Sequence, residues 1–261
     1  MFSFPYFKQT VKSNFKFLCA FTVVLCAFIV AMTNVFTPET MTDLQSAMSE
    51  TALKNILTGN GTLIGFMSNS FYALMAIIFP MVYSIIVGNR LIAEKIDKGN
   101  MAGFLSTGAT RFQITVSSAV YFIVSLAAMW GIVSVVGIIT SHIVRPDALN
   151  IKIFLMLNVG AFLYHLVISG ICFCSSCIFN SSKYSLIFGA GIPLYFFVIS
   201  MFIKLSDDLD FLRYITLNTL FNTRNILSDS GYREEFLAMG IISVMLYVIG
   251  IVWFQKKDLP L

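Results

Sequence analysis

Six long apolar runs, separated by polar stretches, organise this chain: 17–35, 63–87, 114–139, 153–179, 184–203 and 236–254. Each is long enough as a helix to cross a hydrocarbon core about 30 Å thick. Backbone groups find no water in lipid, so each run is expected to be helical. A β-barrel does not fit, because the runs are unbroken and lack the ten-residue alternating pattern of barrel strands. Hydrophobic residues make up 57% of the chain and charged residues 11%. A soluble domain carries roughly 25% charged residues, so lipid is the main solvent. The expected fold class is an all-α polytopic membrane protein, one transmembrane domain over residues 1–261.

The distribution of Lys and Arg sets the expected orientation. With the N-terminus in the cytoplasm, Lys8, Lys12, Lys16, Arg90, Lys95, Lys98, Arg111, Lys183, Lys256 and Lys257 face inward, ten of the 17 basic residues. This is a moderate positive-inside bias, with both termini cytoplasmic and the chain placed in the plasma membrane. No A-x-A-like cleavage site follows the first apolar run, which is too long for a signal peptide, so that run is expected to be retained. Within residues 1–16, Phe4, Phe7, Val11 and Phe15 recur at helical spacing, and Lys8, Lys12 and Lys16 form a separate basic stripe. That is the pattern of a helix lying at headgroup level. The alternative is a basic lead that only sets topology.

Beyond the first span, Thr37-Pro38-Glu39 offers a helix start, and Met41, Leu44, Met48, Ala52 and Ile56 trace one face of an external amphipathic helix. The sequon Asn60-Gly61-Thr62 is explained equally well by a turn and carries no function here. Ser68, Asn69 and Ser70 make one part of the second span polar, for packing between helices or for a wet cavity. Pro80 and Pro193 should loosen the second and fifth spans. His165 is an ionisable group in the middle of a span, either a functional group or a histidine bonded to a neighbouring helix. Cys174 and Cys177 share a helix face without His or carboxylate neighbours in sequence, so no metal site is expected. Residues 204–235 mix Leu209, Leu212, Ile215, Leu220, Phe221, Ile226 and Leu227 with charges, which suits short re-entrant helices before the last span. Asn69, Pro80, His165, Pro193 and Phe221 are the candidate pathway or gate positions.

The polar island 90–111, RLIAEKIDKGNMAGFLSTGATR, stands between two long apolar runs. A short helix starting near Asp97, with Met101, Phe104 and Leu105 as its apolar face, could seat in a partner's groove. The alternative is an ordinary polar loop. The pattern Glu94, Gly99, Phe104-Leu105-Ser106 and Arg111 resembles the cytoplasmic coupling-helix region of ABC-2 type permeases, the membrane subunits of ATP-driven exporters. Phe211-Leu212-Arg213-Tyr214 through Leu220-Phe221 resembles that family's outer double helix. Phe254-Gln255-Lys256-Lys257-Asp258-Leu259-Pro260 resembles its closing segment. Gly108 stands where the family often has Pro, and Ser118 where a Lys commonly opens the third span.

The resemblance implies an exporter subunit rather than an enzyme. It assigns Glu94, Asp97, Gly99, Met101, Phe104, Leu105 and Arg111 to contact with a separate ABC ATPase, present in two copies. It also implies a second permease chain, identical or similar. ATP and Mg would bind the ATPase, since this chain has no G-x-x-x-x-G-K-[ST] loop. No nucleic-acid partner is implied. Amphipathic or hydrophobic peptides or drugs are the first substrate class by this analogy, with lipid-linked glycan or sodium export as alternatives. A secondary transporter would show internal repeats and intramembrane carboxylates, and the six runs hold no Asp or Glu. A membrane-embedded enzyme would need a cluster of acids or ligands, and His165 stands alone.

Overall fold

The computed structural model describes residues 3–36, 62–106, 108–144, 146, 148–203 and 216–259. The regular elements among them are all helical: α1 (Phe4–Val35), α2 (Leu63–Ser70), a π-helical turn (Phe71–Met75), α3 (Ala76–Leu91), α4 (Ala93–Asp97), α5 (Asn100–Ser106), α6 (Arg111–Val144), α7 (Ile151–Ile178), α8 (Ser182–Ile203), a 3₁₀ turn (Leu217–Leu220), α9 (Thr223–Leu227) and α10 (Tyr232–Lys256). Six helical stretches are long and apolar enough to cross a membrane, with α2, the π turn and α3 to α4 forming the second of them. The chain has the fold of a multi-pass membrane protein. The external helix expected over residues 41–56, Asn60 and Gly61 of the sequon, and residues 204–215 of the expected outer cap lie outside the described residues, while Thr62 caps α2 by accepting from the Gly65 N–H.

Helix α7 is the hub of the bundle, packed against α3, α6, α8 and α10. Its small residues allow these close approaches. A Cβ on Gly88 of α3 would stand 2.6 Å from the Cβ of Cys172 in α7. A Cβ on Gly170 of α7 would stand 3.0 Å from the Leu246 Cβ of α10. Gly250 of α10 likewise meets the Phe173 ring. Such small-residue crossings suit helix association in lipid, where tight packing replaces the hydrophobic drive between helices. Helix α1 lies on the far side of α6 and α3. The outward faces of α8 and α10 carry exposed Ile187, Leu194, Val198, Ile241, Val244 and Val248.

The prolines act as their chemistry requires. Pro193 has no N–H for the Gly189 carbonyl four residues earlier. The Cys172 thiol donates to that carbonyl at 3.2 Å, so α7 satisfies the group that the proline leaves bare. Pro80 follows the π turn by one helical turn, and the Ala76 N–H there reaches back to the Phe71 carbonyl, five residues away. The second span is therefore irregular in its middle, where the sequence predicts a loosened helix.

Two ends of the bundle are defined by their contacts. At one end lie the start of α1, the island from Arg90 to Arg111, the turn between α7 and α8, and the tail after α10. There the Ser3 N–H donates to Ser117 Oγ at 3.2 Å, Arg111 Nη1 donates to the Lys257 carbonyl at 2.6 Å, and Lys257 Nζ donates to the Cys177 carbonyl at 3.1 Å. At the other end Lys152 pairs with Asp229 at 3.1 Å, Asn225 donates to Glu235 Oε1 at 2.7 Å, and Phe36 packs on Phe66.

Candidate functional site

Charge and cavity coincide at the end that gathers the island. Helix α1 does not stop between residues 16 and 17, where the lead was expected to give way to the first span; it is continuous over 32 residues. Its face Tyr6, Thr10 and Asn14 is buried, while Phe4 and Phe15 are 67% and 55% exposed. A third face, Tyr6, Thr10 and Asn14, thus meets protein, while the basic stripe Lys8, Lys12 and Lys16 is exposed and Phe7 and Val11 are half-buried against the core. Thr10 and Asn14 return hydrogen bonds to carbonyls four residues back, which satisfies them on that face.

Tyr6 anchors the island. Its hydroxyl donates to the Leu91 carbonyl at 3.3 Å, lies 3.1 Å from Ser118 Oγ, and accepts from Lys95 Nζ at 2.7 Å. Its ring stands edge-on to Phe104 at 5.2 Å, and the Lys95 ammonium lies 4.4 Å from the centre of that same Tyr6 ring. A turn farther into the bundle, Arg90 Nε donates to Asn14 Oδ1 at 3.3 Å and its guanidinium lies over Phe17 at 4.8 Å. The chain bends at Ile92, where the Ala93 N–H donates to Ser176 Oγ of α7 at 2.9 Å. Asn89 Nδ2 donates to Ser182 Oγ at 2.6 Å. The island is a folded unit held on α1, α6 and α7.

This arrangement redistributes the expected ATPase-contact residues. Met101 has no exposed surface, so the apolar face predicted for a partner's groove turns into the chain at that position. Phe104 and Leu105 are half-buried, Phe104 against Tyr6. Glu94 pairs with Lys98 at 2.5 Å across one helical turn. Arg111 ties the tail to the start of α6. The exposed part is the tip: Asp97, Lys98, Gly99, Asn100, Ala102 and Gly103. Gly99 has φ +71° and Gly108 φ +81°, left-handed values that proline cannot adopt. The turn at Gly108 is therefore built differently from one with Pro at that place. Ser118, which stands where the family commonly has a Lys, is fully buried beneath Tyr6.

An open cleft of about 1120 Å³ runs between the start of α1 and the island. Tyr6, Gln9 and Ser13 line it from α1; Arg90, Lys95 and Phe104 line it from the island. Glu94 and Lys98 also border it. Lys257, in the tail beside Cys177, is half-buried, and burial pushes its ammonium down to about 8.

A second polar locus lies inside the bundle. His165 is fully buried, with Nδ1 2.6 Å from the Ala161 carbonyl of its own helix and Nε2 3.2 Å from the Ile77 carbonyl of α3. It bridges α7 to the turn of α3 that Pro80 disrupts. Trp130 and Tyr164 lie 5.7 and 5.1 Å from the imidazole, and Phe221 and Tyr72 extend the aromatic cluster, Phe221 at 5.9 Å from Tyr164 and Tyr72 stacked on Trp130. The Tyr164 hydroxyl donates to Asn218 Oδ1, which links the cluster to the 3₁₀ turn. His165 and Phe221 are thus brought together with Pro80, whereas Asn69 is half-buried on the preceding turns and Pro193 belongs to the separate contact of α8 with Cys172.

Sequence reasoning passed over Tyr6, Asn14 and Ser176, and noted Ser118 only as a departure from the family pattern. Their signal was a polar side chain recurring every four residues in α1, and hydroxyls set in apolar runs. Among the described residues no group of three or more His, Cys, Asp or Glu could hold a metal. Comparison with models of known protein families finds no match, and no curated protein matches the chain.

Proposed function

We propose that this chain is the permease subunit of an ATP-binding cassette exporter of the ABC-2 type. The observation that carries the reading is the island: a folded pair of short helices, α4 and α5, leading from the second span to the third, with an exposed tip at Asp97 to Asn100, Ala102 and Gly103. A plain connecting loop has no use for the bonds from Tyr6, Asn14 and Ser176 that hold this element. In the proposed complex the tip meets a cytoplasmic ATPase, and Tyr6, Ala93 and Ser176 carry its displacement into α1 and α7. Two such chains, or this chain and a similar one, stand over two ATPases. The pathway takes amphipathic or hydrophobic peptides or drug-like molecules outward, and both termini face the cytoplasm of a cell bounded by the plasma membrane.

The test is purification of the tagged, full-length chain from its native membrane. An ATP-binding cassette subunit should co-purify in one-to-one ratio with the permease. ATP-dependent accumulation of a fluorescent amphipathic peptide in inverted vesicles should require both. Recovery of the chain without any ATPase, together with transport driven by an ion gradient alone, would replace this reading with that of a secondary transporter.

A further inference from the structure

The cleft beside the island has the chemistry of an anion site at a lipid–water boundary. Two cations border it without a carboxylate of their own. Arg90 spends only Nε on Asn14, so its two terminal nitrogens, the fork that grips phosphate, have no partner among the described residues. Lys95 donates to the Tyr6 hydroxyl and rests on the Tyr6 and Phe104 rings, which fixes its ammonium without neutralising it. Among the described residues the one acid on the cleft wall, Glu94, is matched by Lys98 at 2.5 Å. Ser13, Gln9 and Gln113 add neutral donors. Along α1, Lys8, Lys12 and Lys16 are exposed and form no ion pair among the described residues.

The depth of the site is legible from its neighbours. The α1 face that lines the cleft through Gln9 and Ser13 continues one turn on into Phe17, the first residue of the apolar run, and the Arg90 guanidinium lies over that ring. Arg90 is also where the apolar stretch of α3 ends. The phosphate fork therefore stands at the level where headgroups meet acyl chains, and basic groups beside a membrane span attract anionic lipid there. The cavity is of small-molecule size or slightly above, larger than a lone phosphate needs.

We propose that this cleft binds the headgroup of an anionic phospholipid, with the phosphate on Arg90 and Lys95 and the acyl chains leaving past Phe17. A bound lipid would bridge α1 to the island and so stiffen the joint that Tyr6 makes. The inference stands apart from the exporter reading, since it needs only a membrane at the level of Phe17.

The experiment is native mass spectrometry of the full-length chain released from detergent with phosphatidylglycerol or phosphatidylcholine. One phosphatidylglycerol per chain should be retained, with a preference over phosphatidylcholine of roughly tenfold or more. The double variant Arg90→Gln/Lys95→Gln should lose the preference, and Lys152→Gln, at the opposite end of the bundle, should keep it. Equal retention of the two lipids, or a preference that survives the double variant, would overturn the proposal. If the double variant does not fold, the unmodified chain decides. A photoreactive phosphatidylglycerol should crosslink to residues 3–17 and 90–113, and crosslinks confined to other segments overturn the proposal. Displacement of the lipid by millimolar inorganic phosphate would assign the cleft to free phosphate instead. Retention of an acidic peptide in preference to phosphatidylglycerol would make it a protein-docking site, and either result sinks the lipid assignment.

Discussion

Replacing Tyr6 by Phe removes one oxygen and leaves the ring, so it isolates the bond that joins α1 to the island. The hydroxyl serves three partners: the Leu91 carbonyl, Ser118 Oγ and Lys95 Nζ. A neutral buried hydrogen bond contributes about 0.5–1.5 kcal/mol net, and one to a charged group about 1.5–3. Lys95 is half-exposed and regains water when released, so its share is nearer to about 1 kcal/mol. Leu91 and Ser118 are fully buried and lose their contact with the hydroxyl outright. The expected loss is about 2–3 kcal/mol, a fall in Tm of roughly 5–10 °C for a chain of this size. Thermal unfolding in lipid nanodiscs measures it, with Tyr195→Phe as control because that ring is 57% exposed. The island should also come loose, so trypsin should cut faster at Lys95 and Lys98 in Tyr6→Phe than in the unmodified protein. A Tm within a degree of the unmodified protein, with unchanged cleavage, would refute the claim that this hydroxyl holds the joint.

Met101→Ala should destabilise the isolated chain by about 2–5 kcal/mol, because the side chain is fully buried within it. Asp97→Ala, at the exposed tip, should leave Tm unchanged and weaken ATPase co-purification; the reverse pattern would mean that Met101 faces a partner. Gly88→Ala should cost about 1–3 kcal/mol by unfolding in nanodiscs despite the better helix propensity of Ala, since the new Cβ would meet Cys172 Cβ at 2.6 Å. Cys172→Ala, which keeps that Cβ, should not rescue it. Lys257 has its pKa lowered to about 8 by burial, so between pH 8 and the ordinary lysine range the unfolded chain binds more protons than the folded one. Stability should therefore rise with pH across that window, and Lys257→Gln should flatten the rise; an unchanged pH profile in the variant would rule Lys257 out as its source.

The six spans were legible because length and apolarity are enough to mark a segment that lipid must cover. Their ends were less legible. Hydropathy stops at the hydrocarbon edge, while backbone hydrogen bonding runs on until a cap or breaker: α7 begins at Ile151, after Asn150, whose side chain accepts from the Ile153 N–H at 3.3 Å, and α10 begins at Tyr232 after the left-handed Gly231. The π turn at Phe71–Met75 had only an indirect signal: Pro80 marks the second span as loosened without saying where or in what form. Its residues are ordinary helix and strand formers, and nothing in their pattern marks an i→i+5 bond such as that from the Ala76 N–H to the Phe71 carbonyl. His165 was legible as an intramembrane ionisable group, but its partners were not. They are two backbone carbonyls, and carbonyls carry no side-chain signature.

The island shows where periodicity runs out in a membrane protein. A spacing of three and four residues identifies two faces of a helix and cannot say which face meets protein. In water the apolar face is the buried one, and by that habit Phe4, Phe7, Val11 and Phe15 would all pack inward; Phe7 and Val11 are half-buried against the core, whereas Phe4 and Phe15 are exposed. At headgroup level that habit fails, because lipid can cover an exposed apolar side chain while a buried polar one needs a hydrogen-bond partner in the protein. Tyr6, Thr10 and Asn14 are the face that goes in: Tyr6 meets Leu91 and Ser118, Asn14 accepts from Arg90, and Thr10 donates back to the Tyr6 carbonyl. Met101 follows the opposite logic for the same reason. It lies on a polar segment beyond the span, where water is the competing solvent, so it turns toward the chain's own core. Arg90, whose terminal nitrogens have no partner among the described residues, stands one turn farther along the α1 face, over the Phe17 ring.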